Sequence, residues 1–136
     1  MIELTELVSK AIAVQEESFS PYSKFRVGAA LQTDDDQIFT GCNIESSSYG
    51  LTICAERVAL FKAISEGKRS FYRMVVVTDT EDFCPPCGAC RQVLWDFAKT
   101  LEIILVNNNG KQKTHKIIDL YPEAFDGDFL SIRREL

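Results

Sequence analysis

The sequence predicts an α/β sandwich: a mixed β-sheet covered by helices. Two observations carry this. Segments of helical and strand periodicity alternate along the 136 residues. The apolar runs at 72–78 and 101–106 are separated by a helical pattern long enough to be the crossover that parallel strands require, whereas a short polar run joins two earlier strands as an antiparallel hairpin.

Leu4, Leu7, Val8, Ala11 and Val14 recur at helical spacing between charged residues, which predicts an amphipathic helix over 3–18. Ser20-Pro21-Tyr22-Ser23 ends it. Phe25–Gln32 and Gln37–Asn43 have strand patterns, and Asp34-Asp35-Asp36 supplies the solvated turn of their hairpin. A second helix is predicted over Cys54–Glu66, where Ala55, Val58, Ala59, Leu60, Ala63 and Ile64 form the apolar set and Gly67 is the stop signal. A buried strand follows at 72–78. Pro85-Pro86 breaks the chain, and Gly88–Lys99 resumes helical spacing through Val93, Leu94 and Phe97. Leu101–Val106 is the next strand, Asn107-Asn108-Asn109-Gly110 a turn, and Lys113–Ile117 an edge strand before a weakly patterned C-terminal region.

With 46% hydrophobic residues and no linker or repeat, residues 1–136 are expected to form one domain around one core. A net charge of −5 argues against a surface built to neutralise many phosphates, so a polymeric nucleic-acid substrate is not expected. The acidic start Met1-Ile2-Glu3-Leu4-Thr5-Glu6 lacks the pattern of a signal peptide, and no apolar run is long enough to span a bilayer. The expected compartment is the cytoplasm. There the five cysteines, Cys42, Cys54, Cys84, Cys87 and Cys90, point to metal or redox chemistry rather than disulfides.

Cys54-Ala55-Glu56 opens one predicted helix and Pro86-Cys87-Gly88-Ala89-Cys90 opens another. A helix start offers unpaired N–H groups and the positive end of a dipole, which favour the thiolate that binds zinc. Cys87-x-x-Cys90 presents two sulfurs from one turn, and Cys54 completes three ligands, leaving one tetrahedral position for water as in a catalytic zinc site. Glu56 is placed to accept a proton from that water and return it to a leaving group. Three thiolates make a negative complex. Arg57 is the candidate to offset that charge by donating hydrogen bonds to cysteine sulfur. Two other uses of these cysteines remain open at this point: a closed structural zinc with Cys84 as fourth ligand, and a redox pair Cys84-Pro85-Pro86-Cys87. His115, in the predicted edge strand with no catalytic partner nearby, is expected at the surface.

The Cys-x-Glu and Pro-Cys-x-x-Cys pair is the signature of zinc-dependent base deaminases in its all-cysteine form. Together with Pro21-Tyr22-Ser23-Lys24-Phe25-Arg26-Val27-Gly28-Ala29-Ala30, Gly41-Cys42-Asn43-Ile44-Glu45 and Cys84-Pro85-Pro86-Cys87-Gly88-Ala89-Cys90-Arg91-Gln92, it makes the chain resemble the short, homotetrameric cytidine deaminases from about Tyr22 to Phe125. The resemblance implies a three-layer α/β/α sandwich with a five-stranded mixed sheet and one Zn²⁺ per subunit on Cys54, Cys87 and Cys90. It also implies Glu56 as proton shuttle and hydrolytic deamination of free cytidine and deoxycytidine in pyrimidine salvage. By the same carry-over Phe25 stacks on the pyrimidine, and Asn43 and Glu45, on one face of the second strand's end, bind the ribose hydroxyls. Tyr49 and Phe125 lie at subunit contacts, Phe125 reaching a neighbour's site, so that a homotetramer completes its own pockets. Cys84 departs from the serine often found there, and Tyr121-Pro122 from Leu-Pro. A blasticidin-type deaminase shares the zinc motif and is the nearest rival activity. A zinc-stabilised binding module is the rival outside enzymes.

Overall fold

The computed structural model describes residues 1–130; the end of the expected domain, 131–136, lies outside the described residues. Its elements are α1 (Leu4–Gln15), β1 (Val27–Thr33), β2 (Ile38–Cys42), α2 (Ala55–Ser65), β3 (Phe71–Thr78), α3 (Gly88–Phe97), β4 (Glu102–Val106), β5 (Gln112–Lys116) and the single turn α4 (Ile117–Leu120). Short 3₁₀ turns occur at Tyr49–Leu51 and Gly127–Leu130. The strands form one five-stranded sheet in the order β2-β1-β3-β4-β5. Only β3 and β4, joined through α3, run parallel; the other pairs are antiparallel.

Alternation along the central strands builds three layers. Ala29, Leu31, Met74, Val76, Ile103 and Leu105 face α2 and α3, packing with Ala59, Leu60, Ala63 and Leu94. Their sequence neighbours Ala30, Val75, Val77, Ile104 and Val106 face the other way, against Leu7 and Ala11 of α1. A period of two in strands buried on both faces thus gives two apolar clusters on either side of one sheet. Both predicted layers of helix are present, and the mixed sheet has its expected strand number.

The differences are at element ends. The first helix stops at Gln15 rather than 18, because the chain turns there and Phe19 forms an isolated bridge with Ile44. The edge strand stops at Lys116: Ile117 is fully buried in the α2/α3 cluster and begins α4, while β5 itself is exposed apart from half-buried His115. The second strand ends at Cys42, so Asn43 and Glu45 lie beyond it rather than on its face.

This topology brings the predicted site together. A short link joins the end of α2 to the start of β3, so the first turn of α2 lies back toward the end of β3. The loop leaving that end starts α3. Two helix N-termini therefore open beside Thr78, which pairs with Val27 at the start of β1.

Candidate active site

Cys54 and Cys87 are the residues immediately preceding the first turns of α2 and α3, each with extended backbone, and Cys90 lies one turn inside α3. Neither cap side chain bonds the first backbone N–H groups of its own helix, so both sulfurs are free to face each other. Cys54 Sγ is 3.6 Å from Cys87 Sγ, and Cys87 Sγ is 3.6 Å from Cys90 Sγ. Among the described residues these three form the group whose ligand atoms, all within 4.8 Å of one another, can meet at one ion. Zinc–sulfur bonds of about 2.3 Å at tetrahedral angles place sulfurs roughly 3.8 Å apart, so the triad fits a tetrahedral zinc with little adjustment. Cys84 is not in the group. It lines the same cleft, half-buried, with its thiol pushed up by burial. The four-sulfur alternative therefore lacks its fourth ligand, and the five cysteines stand as free thiols.

Arg57, one turn along α2, donates from Nη2 to Cys54 Sγ at 3.4 Å, while its buried Nε has no hydrogen-bond partner. A hydrogen bond with Cys90 is the main influence that lowers the Cys54 thiol to about 5; Arg57 and Cys87 add to it against desolvation. Cys90 is shifted strongly upward by its bond to Cys54 and by burial, so the three sulfurs share charge unevenly. A triad that already carries thiolate character beside a guanidinium is a donor set suited to a soft or borderline cation.

Glu56 is 5% exposed and lies in the first turn of α2. Desolvation, with the Cys54 charge adding, pushes its carboxyl up to about 7, although Arg57 and its backbone hydrogen bond pull it down. A buried carboxyl that exchanges protons near neutrality beside a metal-ligand cluster has the character of a general acid–base.

The cleft around these groups encloses about 560 Å³ including its mouth and is lined by Phe25, Asn43, Cys54, Glu56, Thr78 and Cys87 among others. Its largely apolar walls with a few polar groups suit a small molecule. Phe25 packs its ring against the α2/α3 core at the wall of the cleft. Asn43 is buried and largely committed. Its Oδ1 accepts from Val27 N at 3.0 Å and from Ser18 Oγ, and its Nδ2 donates to Phe25 O at 2.7 Å, which leaves one Nδ2 hydrogen for a ligand. Glu45 opens instead onto an adjoining hollow with Tyr22, Ser23 and Tyr49, the two hollows sharing Thr52. It accepts from Tyr22 N, Ser23 N and Ser23 Oγ, which hold its carboxyl below the usual range and ionised. Asn43 and Glu45 therefore line two adjoining hollows, not one strand face.

Tyr49 is 72% exposed and Phe125 52% exposed. Tyr49 lines only the outer hollow, and Phe125 lines neither. Arg91 carries no role in the motif, and the structure places it behind the Cys87–Cys90 turn: its Nε donates to Pro86 O at 2.8 Å and its Nη1 to Leu120 O at 2.9 Å, tying the loop before Cys87 to α4. An arginine directly after the last cysteine was visible in the motif; its backbone partners were not.

Residues 1–106 match the family model described as the cytidine and deoxycytidylate deaminase zinc-binding region. The chain is 44% identical over 135 residues to a cytidine deaminase of Sporosarcina psychrophila, covering 98% of this chain and 99% of that one. The crystal structure of a cytidine deaminase from Burkholderia pseudomallei superposes with a TM-score of 0.88 at 45% identity, covering 91% of this chain and all of the other. A blasticidin-S deaminase of Bacillus cereus is also similar, 32% identical over 129 residues and 89% of each chain.

Proposed function

Because the chain belongs to the cytidine and deoxycytidylate deaminase family, we propose that it hydrolyses free cytidine and deoxycytidine to uridine and deoxyuridine with release of ammonia. The observation that carries this is one cleft holding a three-sulfur metal cluster, a buried carboxyl and an aromatic wall. Cys54, Cys87 and Cys90 hold one zinc ion per subunit. Bound there, zinc supplies the Lewis acidity that makes water a usable nucleophile near neutral pH.

The chain's own groups do the rest. Phe25 stacks on the pyrimidine and presents C4 to the inner end of the cleft. The spare Nδ2 hydrogen of Asn43 donates to a ribose oxygen, and the ionised Glu45 accepts from a ribose hydroxyl. Glu56 takes a proton from the attacking water and sets it on ring N3 as the water oxygen bonds to C4. It then takes the remaining hydroxyl proton and delivers it to the exocyclic nitrogen, whose bond to C4 breaks as the carbonyl forms. N3 keeps its proton, and the products are the uracil nucleoside and ammonia.

Tyr22 and Tyr49 line the outer hollow and are exposed, as are Leu51 beside Tyr49 in the chain and the bridged pair Phe19 and Ile44, which together offer an apolar face. Such a face supports assembly. We place neighbouring subunits of a homotetramer on it, with Phe125 of one subunit closing the pocket of another. No helix among the described residues is long and apolar enough to cross a membrane, and an acidic chain suits a free nucleoside in the cytoplasm, without nucleic-acid or membrane partners. Pyrimidine salvage is the corresponding role.

The test is the loss of the cytidine absorbance band on mixing with the purified protein, beside deoxycytidine, blasticidin S and a zinc-stripped control. Zinc-dependent loss with cytidine supports the reading. Turnover of blasticidin S alone moves the assignment to that activity, which the Bacillus cereus relative represents. Arg57→Gln removes the guanidinium from Cys54 and is expected to weaken zinc retention about 10–100-fold, as measured by competition with a chromophoric chelator. Unchanged retention would assign charge compensation to the helix termini instead.

A further inference from the structure

We propose that Asp79 is a positioning residue for substrate binding: it clamps Arg26 so that Phe25 is fixed at the cleft wall. The segment leading into β1 has no strand partner of its own, since β1 begins at Val27. Side chains from distant elements hold its backbone instead. Asp79, directly after β3, accepts Arg26 N at 3.1 Å and Arg26 Nε at 3.0 Å on Oδ2, and Arg26 Nη2 at 3.2 Å on Oδ1. Gln15, buried at the end of α1, donates from Nε2 to Arg26 O at 3.1 Å and to Asp79 Oδ1 at 3.2 Å. On the other side of Phe25, Asn43 holds Phe25 O and Val27 N. Both backbone polar groups of Arg26 thus end on Asp79 and Gln15. Lys24, just before Phe25, has a φ of 59°, a left-handed conformation uncommon for a residue with a side chain.

An exposed Arg–Asp pair alone contributes little to stability. This carboxylate differs in gripping main chain and guanidinium together, at the residue next to the proposed stacking ring. Side chains that fix the geometry of a binding group act mainly on substrate affinity when the reacting groups lie elsewhere. Asp79 lines neither hollow, so its effect must travel through the Arg26–Phe25 backbone.

The inference rests on the reading of Phe25 as the stacking residue, so the experiment is a double-mutant cycle in the zinc-loaded enzyme. Asp79→Asn leaves one carbonyl where two carboxylate oxygens were and turns an amide N–H₂ toward the arginine. It is expected to raise KM for cytidine about tenfold with kcat within about twofold and zinc content unchanged. In a Phe25→Ala background the same substitution is expected to add almost nothing. Gln15→Met, which removes the tie to Arg26 O at similar volume, is expected to raise KM in the same direction and serves if Asp79→Asn does not fold. If Phe25→Ala leaves KM unchanged, the stacking reading fails and the positioning role with it. If Phe25→Ala raises KM but Asp79→Asn does not, or if the two effects add in full, only the positioning role is overturned.

Discussion

Glu56→Gln is expected to retain zinc and to lower kcat by about 10⁴-fold, the upper end of what one general acid–base contributes. The upper end applies because, in the proposed mechanism, one carboxyl serves successive transfers, to N3 and to the departing amine. Glutamine has the same length and fits the same buried site, where the carboxyl is 5% exposed, so the sulfur triad should be undisturbed. It can neither accept the water's proton nor pass one on. Burial that pushes the carboxyl up to about 7 leaves the wild-type group near the point where both forms are populated at neutral pH. Single-turnover absorbance measurements with metal content determined on the same sample check this. Turnover near wild type in a zinc-loaded variant would remove Glu56 from the mechanism.

The clustering of three sulfurs was legible in the sequence because its information is local. Cys87-x-x-Cys90 fixes two sulfurs within one turn, and helix-stop and helix-start signals place Cys54 and Cys87 at the two N-termini. Alternation in β1, β3 and β4 likewise encoded both layers of core, as the split into Val75 and Val77 on one face and Met74 and Val76 on the other shows. What could not be read depends on partners far along the chain. Asn43 spends its amide on Phe25 and Val27, and Ser18 joins it, because β2 stops at Cys42 and the chain is drawn into the Ile44 bridges with Phe19 and Ile53. The Asp79 clamp joins residues 53 positions apart, and no periodicity announces it. Ile117 looked like the end of an apolar-tipped edge strand. Only the depth of the α2/α3 cluster shows that burying it is worth ending β5.

Gly41→Ala is expected to be strongly damaging, through the placement of α2. Gly41 sits in β2 with α2 laid directly across it: an added Cβ would come 2.5 Å from Ala59 N and 2.6 Å from Ala55 O. Both are backbone atoms of a helix that cannot rotate out of the way as a flexible side chain would. Overpacking a well-filled core costs about 1–3 kcal/mol, and contact with backbone on both turns puts this site at the high end. That corresponds to a fall in Tm on the order of 10 °C for a chain of this size. Relief requires α2 to move away from β2. Since Cys54 and Glu56 ride on its first turn, zinc retention and kcat should fall along with stability. Gly88→Ala provides the contrast, because its Cβ would meet nothing within 4 Å at the first position of α3; its Tm is expected to change by at most a few degrees. Thermal unfolding of both variants with chelator competition separates the two cases. A Gly41→Ala protein that unfolds at the wild-type temperature with zinc held as tightly would mean that α2 can shift on the sheet without disturbing the site, and that close helix–sheet contact does not set the position of Glu56.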